Sequence, residues 1–402
     1  MKFLCILGRQ PALGLAELES RFGAQAVQPL GRDMAILQTD EAPAVFNQLG
    51  SVVKVGKIVD QSSANDWMKL SRYLVNTLPG DWRDANGSKL TIGISVYGLP
   101  VKVQHINATA LSLKKALRSQ DEVGSVRVVP NKQTDLNAAQ VLHNKLATST
   151  GLELLLVRDN TKVLIAQTKW VQDIETYSQR DQERPMRDSK VGMLPPKLAQ
   201  IIINLAIAST KPDHGSVILD PFCGTGVLLQ EASLMGFDIA GSDLEPRMVE
   251  YTDKNLLWLA DQSFSTTTSH SSDGRYYKLD QGDATSMVWQ PMPNSIACET
   301  YLGRPFAHEP DPQILRTVMN DTNQIHKKFL QNVARQTQAG FRMCIAVPAW
   351  HTKSGIKHLA VLDHLEELGY NRVSFVHAHT RDLVYHRENQ VVGRELVVLV
   401  RS

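Results

Sequence analysis

VILDPFCGTGVLLQEA, residues 217–232, joins an apolar run of strand type to a tight turn and then to an apolar run of helical type. Strand, glycine turn and helix in that order form the repeating unit of an open α/β sheet, which binds ligands outside the carboxyl ends of its strands. Gly224 and Gly226 let the backbone come close to such a ligand. The stretch has no GxxxxGK[ST] and only an incomplete GxGxxG, which argues against a nucleoside-triphosphate loop and weakens a nicotinamide-binding turn. Asp220 stands in it with no Lys or Arg beside it, so it suits a cationic or zwitterionic ligand better than a phosphate.

Moving outward, FDIAGSDLEPRM (237–248) gives a second strand ending in Asp243, placed to accept hydrogen bonds from ribose hydroxyls. A third acidic turn, LDQGDATSM (279–287), puts Asp283 where a carboxylate can accept from an adenine amine. Pro221, Cys223, Leu244 and Ala284 flank the three acids and complete the candidate cofactor set with Gly224 and Gly226. Ribose, adenine and a sulfonium carrying an amino acid together describe S-adenosylmethionine. A competing reading makes Asp220 and Asp243 caps of the helices that follow them.

From Val217 onward the pattern predicts an α/β fold with a doubly wound, mostly parallel sheet. VYHRENQVVGRELVVLV (384–400) adds an antiparallel pair at one side, and QSFSTTTSHSS (262–272) reads as a mobile surface insertion. Upstream, residues 1–59 read as strand, helix, strand, strand, and residues 65–168 alternate helices with strands on one sheet. TYSQRDQERPMRDSKVGMLPPK (176–197), polar and broken by three prolines, reads as a linker that ends where Pro195 and Pro196 open a helix.

A chain of 402 residues suits two or three domains. Lys and Arg outnumber Asp and Glu by 20 to 14 over residues 1–170, giving +6, and the remainder has 23 against 27, giving −4, for the total of +2. The first part is therefore the better candidate for a polyanion. The sequence contains no apolar run of membrane-span length, and MKFLCILGRQP reads as a buried strand rather than a signal peptide. Cys5, Cys223, Cys298 and Cys344 are widely spaced, and His377 and His379 lack companion ligands. No metal site or disulfide framework is expected, and a reducing cytoplasm fits.

DPFCGTG with GSDLEPRMVEYTDKNL resembles the first two motifs of class I Rossmann-like methyltransferases. TKWVQDIETYSQRDQERPMRDSKVGMLPPKLAQIIINLA (168–206) and ILGRQPALGLAELES (6–20) resemble the THUMP-containing tRNA guanosine N2-methyltransferases that modify position ten. The resemblance spans nearly the whole chain. It implies a ferredoxin-like subdomain over 1–59, a THUMP RNA-binding domain over 60–168, a linker over 169–195 and a catalytic domain over 196–402. It also implies a tRNA held by its acceptor end, with Lys114, Lys115, Arg118, Arg127 and Arg184 as candidate RNA contacts. Some relatives work with a small zinc-binding activator subunit.

In that family an acidic residue followed by Pro-Pro-Tyr stands after the fourth strand. Here SIACETYLG (295–303) offers Glu299, Thr300, Tyr301 and Leu302 as the candidate catalytic residues. Glu is one methylene longer than Asp, both prolines are absent, and Tyr301 lies one residue early. An acid and an aromatic at the end of the right strand favour a working enzyme. Two alternatives stay open: a THUMP RNA-binding protein whose methyltransferase domain is silent, and an enzyme acting on ribosomal RNA or another tRNA position.

Overall fold

The computed structural model describes residues 1–402 except 42, 65, 82–88, 120–124, 189–192, 209–214, 263–276 and 389. The expected insertion at 262–272 lies, past Gln262, outside the described residues. The chain divides into two compact units. One comprises Met1–Pro11, Ala26–Asn47 and Val52–Glu175; the other comprises Ala12–Gln25, Gln48–Ser51 and Thr176–Ser402.

The first half of the chain runs β1 (Lys2–Leu7), α1 (Pro11–Phe22), β2 (Val27–Leu30), β3 (Met34–Gln38), β4 (Val52–Ser62), α2 (Trp67–Asp81), β5 (Lys89–Tyr97), α3 (Val103–Arg118), β6 (Ser125–Val128), α4 (Ala138–His143), β7 (Gly151–Asp159) and β8 (Lys162–Val171). Its eight strands form one sheet in the order β2-β3-β1-β4-β8-β7-β5-β6. β4 runs across residue 59 and pairs antiparallel with β1 on one side and β8 on the other. α2 and α3 lay Leu70, Leu74, Ile106 and Leu113 on Ile92, Ile94, Leu154 and Leu156 of the sheet. Fully burying such a side chain contributes about 1.5–3 kcal/mol.

α1 groups with the second unit, although its neighbours in sequence build the first. Leu13 and Ala16 enter the core around α6 (Pro196–Ile207). Glu17, fully buried, accepts from the backbone N–H groups of Gly50 and Ser51, each at 2.9 Å, and from Asn204 Nδ2 at 2.6 Å. Burial raises its pKa, while these donors pull it back down.

The second unit continues with α5 (Ile174–Gln182), α6, β9 (Val217–Asp220), α7 (Val227–Leu234), β10 (Asp238–Asp243), α8 (Pro246–Ala260), β11 (Tyr277–Gln281), β12 (Ser295–Glu299), α9 (Pro312–Gln336), β13 (Arg342–Thr352), β14 (Gly355–Lys357), β15 (Tyr370–Arg372), β16 (Val384–Tyr385) and β17 (Val392–Arg401). The stretch read as a linker is ordered over α5, where Tyr177 and Arg180 are buried and Arg180 Nε donates to Glu231 at 2.7 Å. Ser178, Gln179, Gln182, Glu183 and Arg187 of the same stretch stay exposed.

The sheet order is β11-β10-β9-β12-β13-β17-β15, with β14 beside β13 and β16 beside β17. β9 through β13 pair in parallel, and β17 returns antiparallel to β13. Alternate residues serve opposite faces. Ile218, Ala297, Cys344, Leu396 and Val398 share a core with α6 and α7, whereas Leu219, Ile296, Ile345, Val397 and Leu399 share one with Phe329, Leu330 and Val333 of α9. Burial on both faces explains why these strands are apolar throughout. The strand order reverses between β9 and β12, the place where open α/β sheets bind ligands. Among the described residues no helix is long and apolar enough to cross a membrane.

Candidate active site

At that switch point the strand ends enclose a cavity of about 790 Å³. Asp220 closes β9, Asp243 closes β10, Asp283 follows β11 and Glu299 closes β12, and all four carboxylates line it. Pro221, Cys223, Gly224, Leu244, Ala284, Thr300, Tyr301 and Leu302 line it as well. The expected cofactor and catalytic residues thus converge, apart from Gly226, which does not line the cavity and serves as the N-cap of α7. There φ is +80° and an added Cβ would lie 2.8 Å from the Thr252 methyl, so the turn needs glycine.

Local bonds shape the turn. Asp220 Oδ1 accepts from Phe222 N at 3.1 Å, Gly226 N donates to Cys223 O at 2.7 Å, and Cys223 N donates to Ser242 O at 3.0 Å. Asp243 spends Oδ2 on Gly224 N at 2.9 Å and Oδ1 on Glu245 N at 3.0 Å. It therefore braces the turn and the cap residue of α8, but the N-caps of α7 and α8 are Gly226 and Glu245, so neither Asp220 nor Asp243 caps the helix after it. A carboxylate offers about four lone-pair sites, and the Gly224 and Glu245 donors, with Leu244 N as a third, leave part of that capacity for a ligand. Thr252 Oγ1 donates to Gly224 O at 2.9 Å, and Asn255 Nδ2 donates to Thr225 O at 2.8 Å and Met186 O at 2.9 Å.

The electrostatics ask for a cation. Burial pushes the Asp220 carboxyl well above its ordinary range, against the Phe222 hydrogen bond, and the Asp243 and Glu299 carboxylates push the same way. Asp243 is also raised, mainly by burial. Burial likewise raises the Cys223 thiol well above its usual range, so Cys223 is no nucleophile. Lys328 is the one cationic side chain among the described lining residues. Leu244, 62% exposed, together with Met248, Ala284 and Ile325, adds apolar surface. The set fits an adenosine-bearing cation: acceptors for hydroxyls and an amine, apolar surface for a base, and carboxylates for positive charge.

The catalytic loop follows β12. Arg394 Nε of β17 donates to Glu299 Oε1, with Arg394 and Glu299 side chains 9% and 15% exposed. Thr300, 3% exposed, turns its hydroxyl inward, 2.6 Å from His326 Nε2. His326 Nδ1 lies 2.7 Å from Thr322 O and so carries the proton, which makes Nε2 the acceptor of the Thr300 hydroxyl. Burial lowers His326 to about 4 and keeps it neutral. Thr300 N donates to Ala346 O at 3.0 Å. Tyr301, 47% exposed, also lines an adjoining cleft of about 420 Å³ with Arg304, Ile314 and Val318.

Sequence reading missed Arg394, His326 and the α9 residues Asp321, Gln324, Ile325 and Lys328. A signal existed for the last group, whose i, i+3, i+4, i+7 spacing marks one helix face. Arg394 stands out as a buried charge opening the apolar run GRELVVLV. Arg184, grouped with the RNA contacts, is corrected: it is 2% exposed, its guanidinium has no hydrogen-bond partner among the described residues, and it approaches Asp181 only to 3.9 Å. A group so buried presents nothing to an RNA surface. Lys115, Arg118 and Arg127 are exposed and Lys114 is half-buried, on α3 and β6.

Residues 184–272 match the family described as RMKL-like, methyltransferase domain. The chain is 31% identical to a tRNA (guanine(10)-N2)-dimethyltransferase of Methanothermobacter thermautotrophicus over 157 residues, 39% of each chain. It is 28% identical to a tRNA (guanine(10)-N2)-dimethyltransferase of Methanocaldococcus jannaschii over 257 residues, 57% of this chain and 67% of that one. Across the curated relatives the matches span from 35% to 67% of the relative's length. The crystal structure of TrmN from Thermus thermophilus aligns over the full length of both chains with a TM-score of 0.51 at 16% identity, a likeness of α/β fold. The chain is thus similar in part to tRNA (guanine(10)-N2)-dimethyltransferases and carries, over residues 184–272, a stretch that matches an RMKL-like methyltransferase domain.

Proposed function

We propose that this chain is an S-adenosylmethionine-dependent methyltransferase acting on the exocyclic N2 amine of a guanosine in tRNA. The observation that carries the reading is the convergence of Asp220, Asp243, Asp283, Glu299 and Tyr301 on one cavity at the switch point of the sheet. The similarity to tRNA guanine-N2 methyltransferases supports the choice of RNA and of nitrogen.

When bound, S-adenosylmethionine supplies an electrophilic methyl group on a sulfonium. Asp243 would accept from the ribose hydroxyls, Asp283 from the adenine amine, and Leu244 and Ala284 would cover the base. Asp220 would place negative charge towards the cofactor's sulfonium and the amino group of its methionine part. The guanine N2 lone pair is delocalised into the ring, so the free amine is a poor nucleophile. Glu299 and a backbone carbonyl of the 299–303 loop accept its two hydrogens, draw the nitrogen toward tetrahedral geometry and offset the charge that develops on it. As nitrogen gains its bond to the methyl carbon, the carbon–sulfur bond breaks and its electron pair goes to sulfur, which would leave as a neutral thioether; nitrogen also gives up one proton, and Glu299 stands in place to receive it. Tyr301 stacks on the extruded base and holds it in line.

The finer organisation is part of the same proposal: a ferredoxin-like subdomain over 1–59, a THUMP domain over 60–168, a linker over 169–195 and a doubly wound catalytic domain over 196–402. Lys114, Lys115, Arg118 and Arg127 of the first unit would meet tRNA phosphates, positioning the RNA without reading bases. Four cysteines, all buried and free, suit the reducing cytoplasm. The test is transfer of labelled methyl to unmodified tRNA transcripts, with the product located by nucleoside mass spectrometry. N2-methylguanosine is the expected product. Label in another nucleoside, or none with and without a zinc-binding activator subunit, overturns the assignment.

A further inference from the structure

We infer that Arg394 is a positioning residue for the amine-activating carboxylate, doing from β17 what a rigid loop would otherwise do for Glu299; the inference rests on the methyltransferase reading above. The loop after β12 contains no proline between Glu299 and Arg304, and Gly303 turns it at φ +80°. Glu has one more rotatable bond than Asp, so its carboxylate samples more positions unless something outside the loop holds it. Arg394 does so. It sits in a strand whose register with β13 runs unbroken from Arg342↔Val400 to Trp350↔Val392, so the root of its side chain is fixed. Its Nε takes Glu299 Oε1. Among the described residues none donates to the other carboxylate oxygen, which is left for a substrate N–H.

The neighbouring charge does not compete. Glu395 serves the opposite face of β17 and accepts from Arg372 Nη2 at 2.8 Å and pairs with His358. Arg394 therefore has Glu299 as its acidic partner, and Glu299 has Arg394. Support from a strand is stiffer than support from a loop. The guanidinium also offsets one of the six carboxylates that line the cavity among the described residues, Asp220, Asp243, Glu245, Asp283, Glu299 and Asp321, which would otherwise repel one another.

The experiment measures kcat and KM for tRNA, cofactor affinity by calorimetry and melting temperature in the unaltered protein, Arg394→Lys, Arg394→Gln, Glu299→Gln and the double variant Glu299→Gln/Arg394→Gln. Arg394→Gln is expected to lower kcat by roughly ten- to a hundredfold, the cost of a carboxylate misplaced by about 1 Å. KM and cofactor affinity should stay within about twofold, and Arg394→Lys should recover part of the loss because charge without the planar fork holds less well. In the Glu299→Gln background, Arg394→Gln should cost no more than about threefold, because its effect passes through the lost carboxylate. Equal losses in both backgrounds, an unchanged kcat in Arg394→Gln, or a fall in cofactor affinity and melting temperature that accounts for the lost rate would overturn the inference. The neutral double variant separates the cost of a stranded buried charge from that of lost positioning. Absence of transfer by the unaltered protein is a different failure, since it removes the methyltransferase reading itself.

Discussion

The acidic turn after β9 and the loop after β12 line the same cavity, yet they are braced over very different distances along the chain. Phe222 N reaches Asp220 two residues away, Gly226 N reaches Cys223, and Gly224 N reaches Asp243 across 19 residues. The loop depends on His326, 26 residues from Thr300, on Ala346, 46 residues away, and on Arg394, 95 residues from Glu299. A site built from local bonds carries its own geometry in its sequence. A site braced from a distant helix and strand borrows its geometry from the fold.

The contrast breaks most directly at Glu299. Glu299→Gln keeps the shape but removes the charge, and it should lower kcat by about a hundredfold or more, the usual cost of deleting one group aimed at developing charge. Cofactor affinity should hold, because the turn is braced without this residue. A calorimetric affinity that falls in parallel with the rate would mean that loop and turn act as one site.

Asp243 is the counterpart in the turn. Asp243→Ala removes the acceptor proposed for ribose and also frees Gly224 N and Glu245 N. Cofactor affinity should fall roughly ten- to a hundredfold, as expected when a hydrogen bond to a charged group is lost. Activity at saturating cofactor should recover most of its value. Asp243→Asn, which keeps an acceptor oxygen, should lose less; equal losses in the two variants would say that Asp243 serves as a brace alone.

The same contrast explains what could be read from the sequence. DPFCGTG and the acids at 243 and 283 were legible because glycine at a forced φ and an acid at a strand end state their geometry locally. The parallel order of β9 to β13 followed from strand and helix alternation. Thr300 could be singled out by position, but not the inward turn of its hydroxyl, which depends on α9 lying across β12. Arg184 misled for the same reason: ERPMRD looks like a charged surface linker, and only packing shows that the guanidinium is buried. Nor was α1's grouping with the second unit visible, since it rests on Glu17 meeting Asn204 187 residues later.

His326 tests the long-range brace with a smaller effect. Thr300→Val removes the donor to Nε2 and leaves that buried nitrogen without its partner, a cost of about 1–3 kcal/mol. Melting temperature should drop and kcat should fall several-fold, less than for Glu299→Gln. The histidine itself gives the loss a pH signature. Its folded pKa, about 4, lies below the ordinary value of 6.5, so the unfolded chain binds the extra proton between those values. Stability should therefore decline as pH falls from about 6.5 toward 4, by roughly 3 kcal/mol in all, and level off below. Replacing His326 with Gln should flatten that part of the curve in urea titrations, and an unchanged slope would place the acid sensitivity elsewhere.

The gentlest test concerns Asp220, the most deeply desolvated member of the turn. Its pKa is raised by burial and by its acidic neighbours, so without a ligand it holds a proton to higher pH than an ordinary aspartate. A cationic ligand favours the ionised form and must expel that proton. Affinity for S-adenosylmethionine should therefore weaken as pH falls through the raised value, by at most about tenfold per pH unit, and become independent of pH above it. Sinefungin, which keeps a positive charge where the sulfonium stands, should share the trend, and S-adenosylhomocysteine, which lacks that charge, should show a shallower one. Asp220→Asn should bind all three with little pH dependence in this range. If the neutral thioether follows the same slope as the sulfonium, the proton belongs to the amino acid end of the ligand site, and Asp220 holds the ligand's amine rather than facing its sulfur.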